Sequence, residues 1–177
     1  YRGEVSSAIL LYDAEYIWLH DLEITNQDSE KELEQYCAPD KMDRTGVAVV
    51  AQNRGTLHDI HLSNLMIHDV NGNVYNKHMN NGGIYMTAFQ PEDEAKTGVA
   101  RYDGVLVEDC SVWRVSRWGI AVGYTYQHER FAGAELAEEL FTRYGHENIV
   151  LRNNYVKEAG GDAITPMYAL RPLTEHN

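Results

Sequence analysis

The sequence predicts an all-β fold built from stacked repeats, and three observations carry that prediction. First, one line of residues recurs: Ile17, Leu19, Asp21, Leu22, Ile24; Ile60, Leu62, Asn64, Leu65, Ile67; Val105, Val107, Asp109, Cys110, Val112; and Ile149, Leu151, Asn153, Asn154, Val156. The copies start 43, 45 and 44 residues apart, and a fixed period of this size marks stacked repeats rather than one ordinary globular core. Second, a β-favouring run accompanies each copy: Ala8–Leu11, Gly46–Val50, Gly83–Thr87, Gly119–Gly123 and Asp162–Pro166. These runs are too short for helices and are bounded by Gly or Asn. Third, a small polar residue breaks every copy of the first line at one place. Asp21, Asn64, Asp109 and Asn153 tolerate the left-handed conformation that a bend between strands requires, and stacked amides can hydrogen-bond along the ladder.

One coil is then a strand of the second kind, a connection, two short strands of the first kind and a turn back. Val47 and Val49, Ile84 and Met86, Ile120 and Val122, and Ala163 and Thr165 are read as inward. Stacking brings such positions over one another at ~4.8 Å. Glu15, His58, Asp103 and Glu147 form a further ladder, read as hydrogen-bonded surface or as a metal or catalytic group.

The connections carry the irregularity. In residues 27–45, Ser29-Glu30-Lys31-Glu32 is a capping-box pattern that predicts a short helix toward Tyr36. Residues 71–82 are Asn-rich and unpatterned, and residues 89–102, with Pro91 and an acidic run, read as a solvated loop. Residues 126–146 predict a second helix, with Leu136, Leu140, Phe141 and Tyr144 on one face and Gly145 as its stop.

At 177 residues the chain fits one domain, 1–177, with a sizeable core. Its opening, Tyr1-Arg2-Gly3-Glu4, lacks an initiator Met and an apolar leader, which suggests a fragment of a longer solenoid. No apolar run is long enough to span a membrane. A formal net charge of -12 argues against a nucleic-acid partner. Cys37 and Cys110 make neither a disulfide framework nor a zinc site, and Cys110 occupies an apolar repeat position, as a buried free thiol would.

With these lines in place, roughly residues 7–170 resemble a right-handed parallel β-helix of the pectate-lyase-like superfamily. The resemblance rests on the Ile-x-Leu-x-Asn/Asp-x-x-Ile/Val copies, the Asn/Asp ladder and the Gly-Ile/Val strands. It implies a single-stranded solenoid of about four to five coils with short helical loop inserts. It also implies a secreted, periplasmic or cell-surface protein with a polysaccharide partner. Members are mostly polysaccharide lyases and glycoside hydrolases, with some esterases, epimerases and non-catalytic adhesins. Their substrate groove runs along one outer sheet walled by the longest loops, here the second-line strands. Polygalacturonase-type Asn-Thr-Asp and Gly-His-Gly are absent, so the reaction is read from individual residues.

Asn76-Lys77-His78-Met79-Asn80-Asn81-Gly82-Gly83 brings a base, an imidazole and amides to one groove strand. Arg114, Arg117 and Trp118 stand one coil later, and Asp162 one coil after that. Lyase chemistry on a uronate needs a cation for the enolate, a base for the C5 proton and an acid for the leaving oxygen. Lys77, His78, Arg117 and Asp162 are the catalytic candidates. Asn80, Asn81, Arg114 and the aromatics Tyr85, Trp118, Tyr124 and Tyr168 are the substrate-binding ones, since sugar C–H faces stack on aromatic planes. Asp162 stands where other coils carry Gly46, Gly83 and Gly119, and it suits a glycosidase, which needs two carboxyl groups. Its partner would be Asp69, Asp43 or Glu129. The one cofactor candidate is Ca2+ on Asp69, Asn71 and Asn73, although Gly72 and Asn80 fail the EF-hand pattern. Zinc is disfavoured because His61 and His68 have no matched partner set. The leading expectation is a lyase on a uronate-containing glycan; the alternatives are a glycoside hydrolase using Asp162 and a non-catalytic glycan-binding adhesin.

Overall fold

A computed structural model of the chain describes residues 5–27, 42–74, 81–128 and 138–177. The strands are β1 (Val5–Tyr12), β2 (Ile17–Asn26), β3 (Asp43–Ala51), β4 (Thr56–Val70), β5 (Gly82–Ala88), β6 (Arg101–Glu108), β7 (Ser111–Val115), β8 (Trp118–Val122), β9 (Glu147–Arg152), β10 (Tyr155–Ala159), β11 (Ile164–Pro166) and β12 (Leu173–Glu175). Two helices interrupt them, α1 (Glu94–Thr97) and α2 (Glu138–Tyr144). One sheet has five strands in the order β1-β3-β5-β8-β11. The other has seven, β10-β7-β4-β6-β9-β12 with β2 on β4, and all pairings between these strands are parallel.

This topology corrects the predicted fold. The chain is all-β with parallel sheets, but the single-stranded right-handed solenoid is not what the strands form: there are two multi-stranded sheets, and the larger one curls. In the second copy of the repeat the two short strands are one strand of 15 residues, β4. The first part of β4 pairs with β6, from Thr56↔Arg101 to Ser63↔Glu108. The last part pairs with β7, from Met66↔Ser111 to Val70↔Val115. The sequence period fixes which residues pair across strands; it carries no information on handedness or on how the walls close.

The curl has a backbone cause. Asp21, Asn64, Asp109 and Asn153 all have positive φ, between 49° and 57°, as their residue types suggested. The Asn64 amide donates to Asp21 Oδ1. Two further left-handed rows escaped the sequence reading: Asp59, Gly104 and Asn148, and Asp69, Arg114 and Glu158. Inside the bend, Asn154 donates to the Val107 carbonyl at 3.0 Å and accepts from Cys110 N at 3.1 Å.

The core lies between the sheets, where Val47, Val49, Ile84, Met86, Ile120 and Val122 face Ile60, Leu62, Ile67, Val105, Val107 and Leu151. Glycines set how closely the walls approach. A Cβ at Gly46, Gly83 or Gly119 would stand 2.5, 2.5 or 2.6 Å from Ile67, Val112 or Val156 side-chain carbon, well inside contact distance. Cys110 is buried, and burial pushes its thiol up to about 11. His146 is also buried, accepting from Tyr102 N at 3.2 Å through Nδ1 while Nε2 faces the Gly123 carbonyl at 3.3 Å.

In the last copy the inward residue is Ile164 rather than Ala163 and Thr165. Register pairs Ile164 with Ile120, so Ile164 packs on the core, while Thr165 sits opposite Ala121. The acidic loop holds a helical turn, α1, capped by the Asp93 side chain on Lys96 N. The predicted helix of 126–146 is observed from Glu138, leaving Leu136 outside the described residues. The capping box at 29–32 also lies outside them.

Candidate functional site

Strand alternation in β5 and β8 turns Tyr85 and Ala121 away from the core, where they are paired in register. The small Ala121 leaves room for the Tyr85 ring, and so does Gly123, whose added Cβ would lie 2.9 Å from Tyr85 Oη. Trp118 joins at 6.0 Å between ring centroids, and Tyr124 and Met167 pack over the group. Tyr124 in turn meets Tyr168 at 5.8 Å and His128 at 5.0 Å. Four predicted aromatics therefore converge on one face. Tyr85 and Trp118 are buried, while Tyr124 and Tyr168 are half-buried. Burial, the largest influence, drives the Tyr85 phenol far above its ordinary range.

The starts of the same strands bring polar groups to that face. Asn81 is buried, accepts from Ser116 Oγ at 2.6 Å and donates to the Asn73 carbonyl. The Arg117 guanidinium lies 5.3 Å from the Trp118 ring centre and donates to the Val74 carbonyl at 3.1 Å. Arg117 Nε and Trp118 Nε1 are buried with no hydrogen-bond partner. Such orphan donors are uncommon in folded proteins.

Asp162 is exposed at the lip of this region, and among the described residues its side chain has no ion pair. Its register differs from the sequence alignment: the residue opposite Gly119 is Ala163, and Asp162 extends the row of Trp118 and Gly82. It does not take the place of Gly46, Gly83 and Gly119.

Arg114 is not part of this face. It sits on β7 with φ 54°, and its Nε binds Asp69 Oδ1 at 2.9 Å. Asp69 Oδ2 meets His68 Nδ1 at 2.7 Å, so both carboxylate oxygens of the calcium candidate are engaged, one by a cation. Asn71 is buried, and Asn73 uses its backbone N–H on the Met42 carbonyl. Among the described residues no group of three or more His, Cys, Asp and Glu could hold a metal. Lys77, His78 and Asn80 lie outside the described residues.

The seven-stranded sheet carries a second arrangement that the sequence reading did not assemble. Trp18 lies parallel to His61 at 5.4 Å; His61 Nε2 is 2.8 Å from Glu108 Oε1; Arg152 Nε donates to Glu108 Oε2 at 2.9 Å. These residues come from four strands at three repeat spacings, visible in the sequence only once the register is known. Arg152, then His61, hold the Glu108 carboxyl below its ordinary range.

No protein-family model matches the chain. It is similar to two crystal structures of GH136 lacto-N-biosidase from Eubacterium ramulus, a selenomethionine derivative and the native protein. Each is 63% identical over 97% of this chain, with a TM-score of 0.89. It is also similar to a lacto-N-biosidase of Bifidobacterium longum subsp. longum, 42% identical over 206 aligned residues that include 99% of this chain. The chain spans 28% of the solved relative and 13% of the curated one. These relatives are named as glycosidases, which corrects the lean toward lyase chemistry and favours the hydrolase alternative.

Proposed function

We propose that the chain is a segment of a glycoside hydrolase of the lacto-N-biosidase kind, and that the outer face of its five-stranded sheet supplies part of the glycan site. The observation that carries this reading is the 63% identity to GH136 lacto-N-biosidase across 97% of the chain. A glycosidase needs carboxyl groups and water rather than a cation beside a uronate, and Asp162 is an exposed carboxylate at the lip of the aromatic face. In this reading Asp162 is one catalytic carboxyl. Asp69 is no partner for it, since His68 and Arg114 occupy its oxygens. Asp43 is buried, and Glu129 lies outside the described residues. Tyr124 and Tyr168 present ring faces to sugar C–H bonds, with Tyr85 and Trp118 beneath them as a rigid base. Arg117 borders this face, with its guanidinium held against the Trp118 ring and the Val74 carbonyl. Lys77, His78 and Asn80 lie outside the described residues and are given no role in this reading.

The test uses the protein that carries this chain and a chromogenic lacto-N-bioside. Release of the chromophore, with no absorbance at about 235 nm from an unsaturated sugar, is expected of a hydrolase. Asp162→Asn should lower kcat by about a hundredfold or more with folding retained. A full rate in that variant would remove Asp162 from the mechanism. No release by the folded wild type would remove the hydrolase reading itself.

A further inference from the structure

We propose that the outer face of the seven-stranded sheet carries a second glycan-binding site, which holds a neutral oligosaccharide along the row Trp18–His61–Leu106–Val150. Pairwise register places these four residues side by side on β2, β4, β6 and β9. The row spans three strand spacings, ~14 Å, long enough for an oligosaccharide rather than a single ring.

Trp18 heads the row and is 63% exposed, yet it is held in place. Its indole N–H donates to Ser63 Oγ at 2.8 Å, and its ring lies within 6° of parallel to His61. An exposed indole fixed in this way offers an aromatic plane at little entropic cost. Leu106 and Val150 continue the apolar stripe over a depression of about 350 Å3, lined also by Asp59, Asn148 and Arg152. That volume falls in the range of small-ligand sites, ~300–1,000 Å3.

Polar groups border the stripe on both sides. One border is Ser63, Glu108 and Arg152, the row two residues further along the strands; the other is the left-handed bend of Asp59, Gly104 and Asn148. An apolar strip flanked by hydrogen-bonding edges suits a pyranose chain, whose faces are C–H and whose rim is hydroxyl. The ligand is neutral because the Arg152 guanidinium on the border is already paired with the Glu108 carboxylate. The net charge of -12 also disfavours an anionic glycan. This site is independent of the hydrolase reading, since it needs no reaction.

The test measures retention of the carrier protein on a neutral tetrasaccharide of galactose and N-acetylglucosamine, coupled to resin through its reducing end. The wild type is expected to be retarded, and Trp18→Ala to bind about tenfold more weakly. Trp18→Phe, which keeps an aromatic face, should recover much of that loss. Hydrolysis of a small chromogenic glycoside should stay within about twofold in both variants. Equal retention of wild type and Trp18→Ala would overturn the proposal. So would a parallel fall in hydrolysis, which would make the row part of the active site. A third overturning result is acrylamide quenching that does not differ between wild type and Trp18→Phe, because Trp18 would then be covered in the whole protein. Loss of hydrolysis in the wild type, with retention intact, would sink only the hydrolase reading.

Discussion

In the five-stranded sheet, β3, β5 and β8 are buried along their whole length, whereas β4, β6 and β9 of the seven-stranded sheet alternate buried with half-exposed residues. Both sheets share one period and one core, so the difference lies on their outer faces. The first face is overlaid by Tyr124 and Met167 and carries Ala48, Tyr85 and Ala121, with Val50 and Thr87 further along the strands. The second is in water and is organised by ion pairs and ring stacks, Glu108 with Arg152 and His68 with Trp113. A doubly covered sheet gives continuous apolar strands, and a singly covered one gives alternation.

The sharpest way to break this contrast is to crowd the interface between the walls. Gly83→Val would drive a side chain into Val112 and into the Gly119 carbonyl, each 2.5 Å from the added Cβ. A loss of about 3 kcal/mol or more in denaturant unfolding is expected, at the upper end for overpacking.

The next effect separates two histidines of opposite sign. His146 is fully buried, and burial lowers it to about 4 despite the Gly123 carbonyl. Its folded pKa lies below the unfolded value, so the unfolded chain takes up the proton first. Its contribution is intact above about pH 6.5 and declines by about 3 kcal/mol as pH falls toward about 4. Unfolding free energies of wild type and His146→Asn across that window would reveal it as a difference in slope.

A smaller effect tests the bend. Asn64 has φ 49°, so Asn64→Ala should cost about 1 kcal/mol while Asn64→Gly stays near wild type. Equal stability of the two variants would show that the left-handed backbone is not what the residue supplies.

The smallest effect lies on the wet face. Burial opposes protonation of His68, but hydrogen bonds to Asp69 and Glu23 outweigh it and raise its pKa. Here the folded value exceeds the unfolded one, so stability is full below about pH 6.5 and lost as pH rises through the folded pKa. His68→Gln should flatten the slope above neutrality, opposite in sign to the effect at His146.

Much of the fold was legible because like residues recur at a near-constant spacing. Ile60, Val105 and Ile149 do pair across strands, and the bend residues do adopt positive φ. What misled was phase in the last copy. Aligning Asp162 with Gly119 places the last run one residue out, and the pairing of Ile164 with Ile120 shows that Ala163 faces Gly119. The aromatic site was legible as an enrichment along one set of strands. The removal of Arg114 to the other sheet was not, since only two residues separate it from Arg117 in the chain and a strand end lies between them.

By itself the sequence determined the strand content, the parallel stacking partners and the places where the chain bends, because each depends on local residue type repeated at a fixed interval. The tertiary structure alone decided that the strands form two sheets with one curled, which outer face is covered, and which charges meet. These depend on contacts between residues more than forty positions apart, such as His61 with Glu108 and Arg152 with Glu108, where a shift of one residue in register turns a side chain to the opposite face.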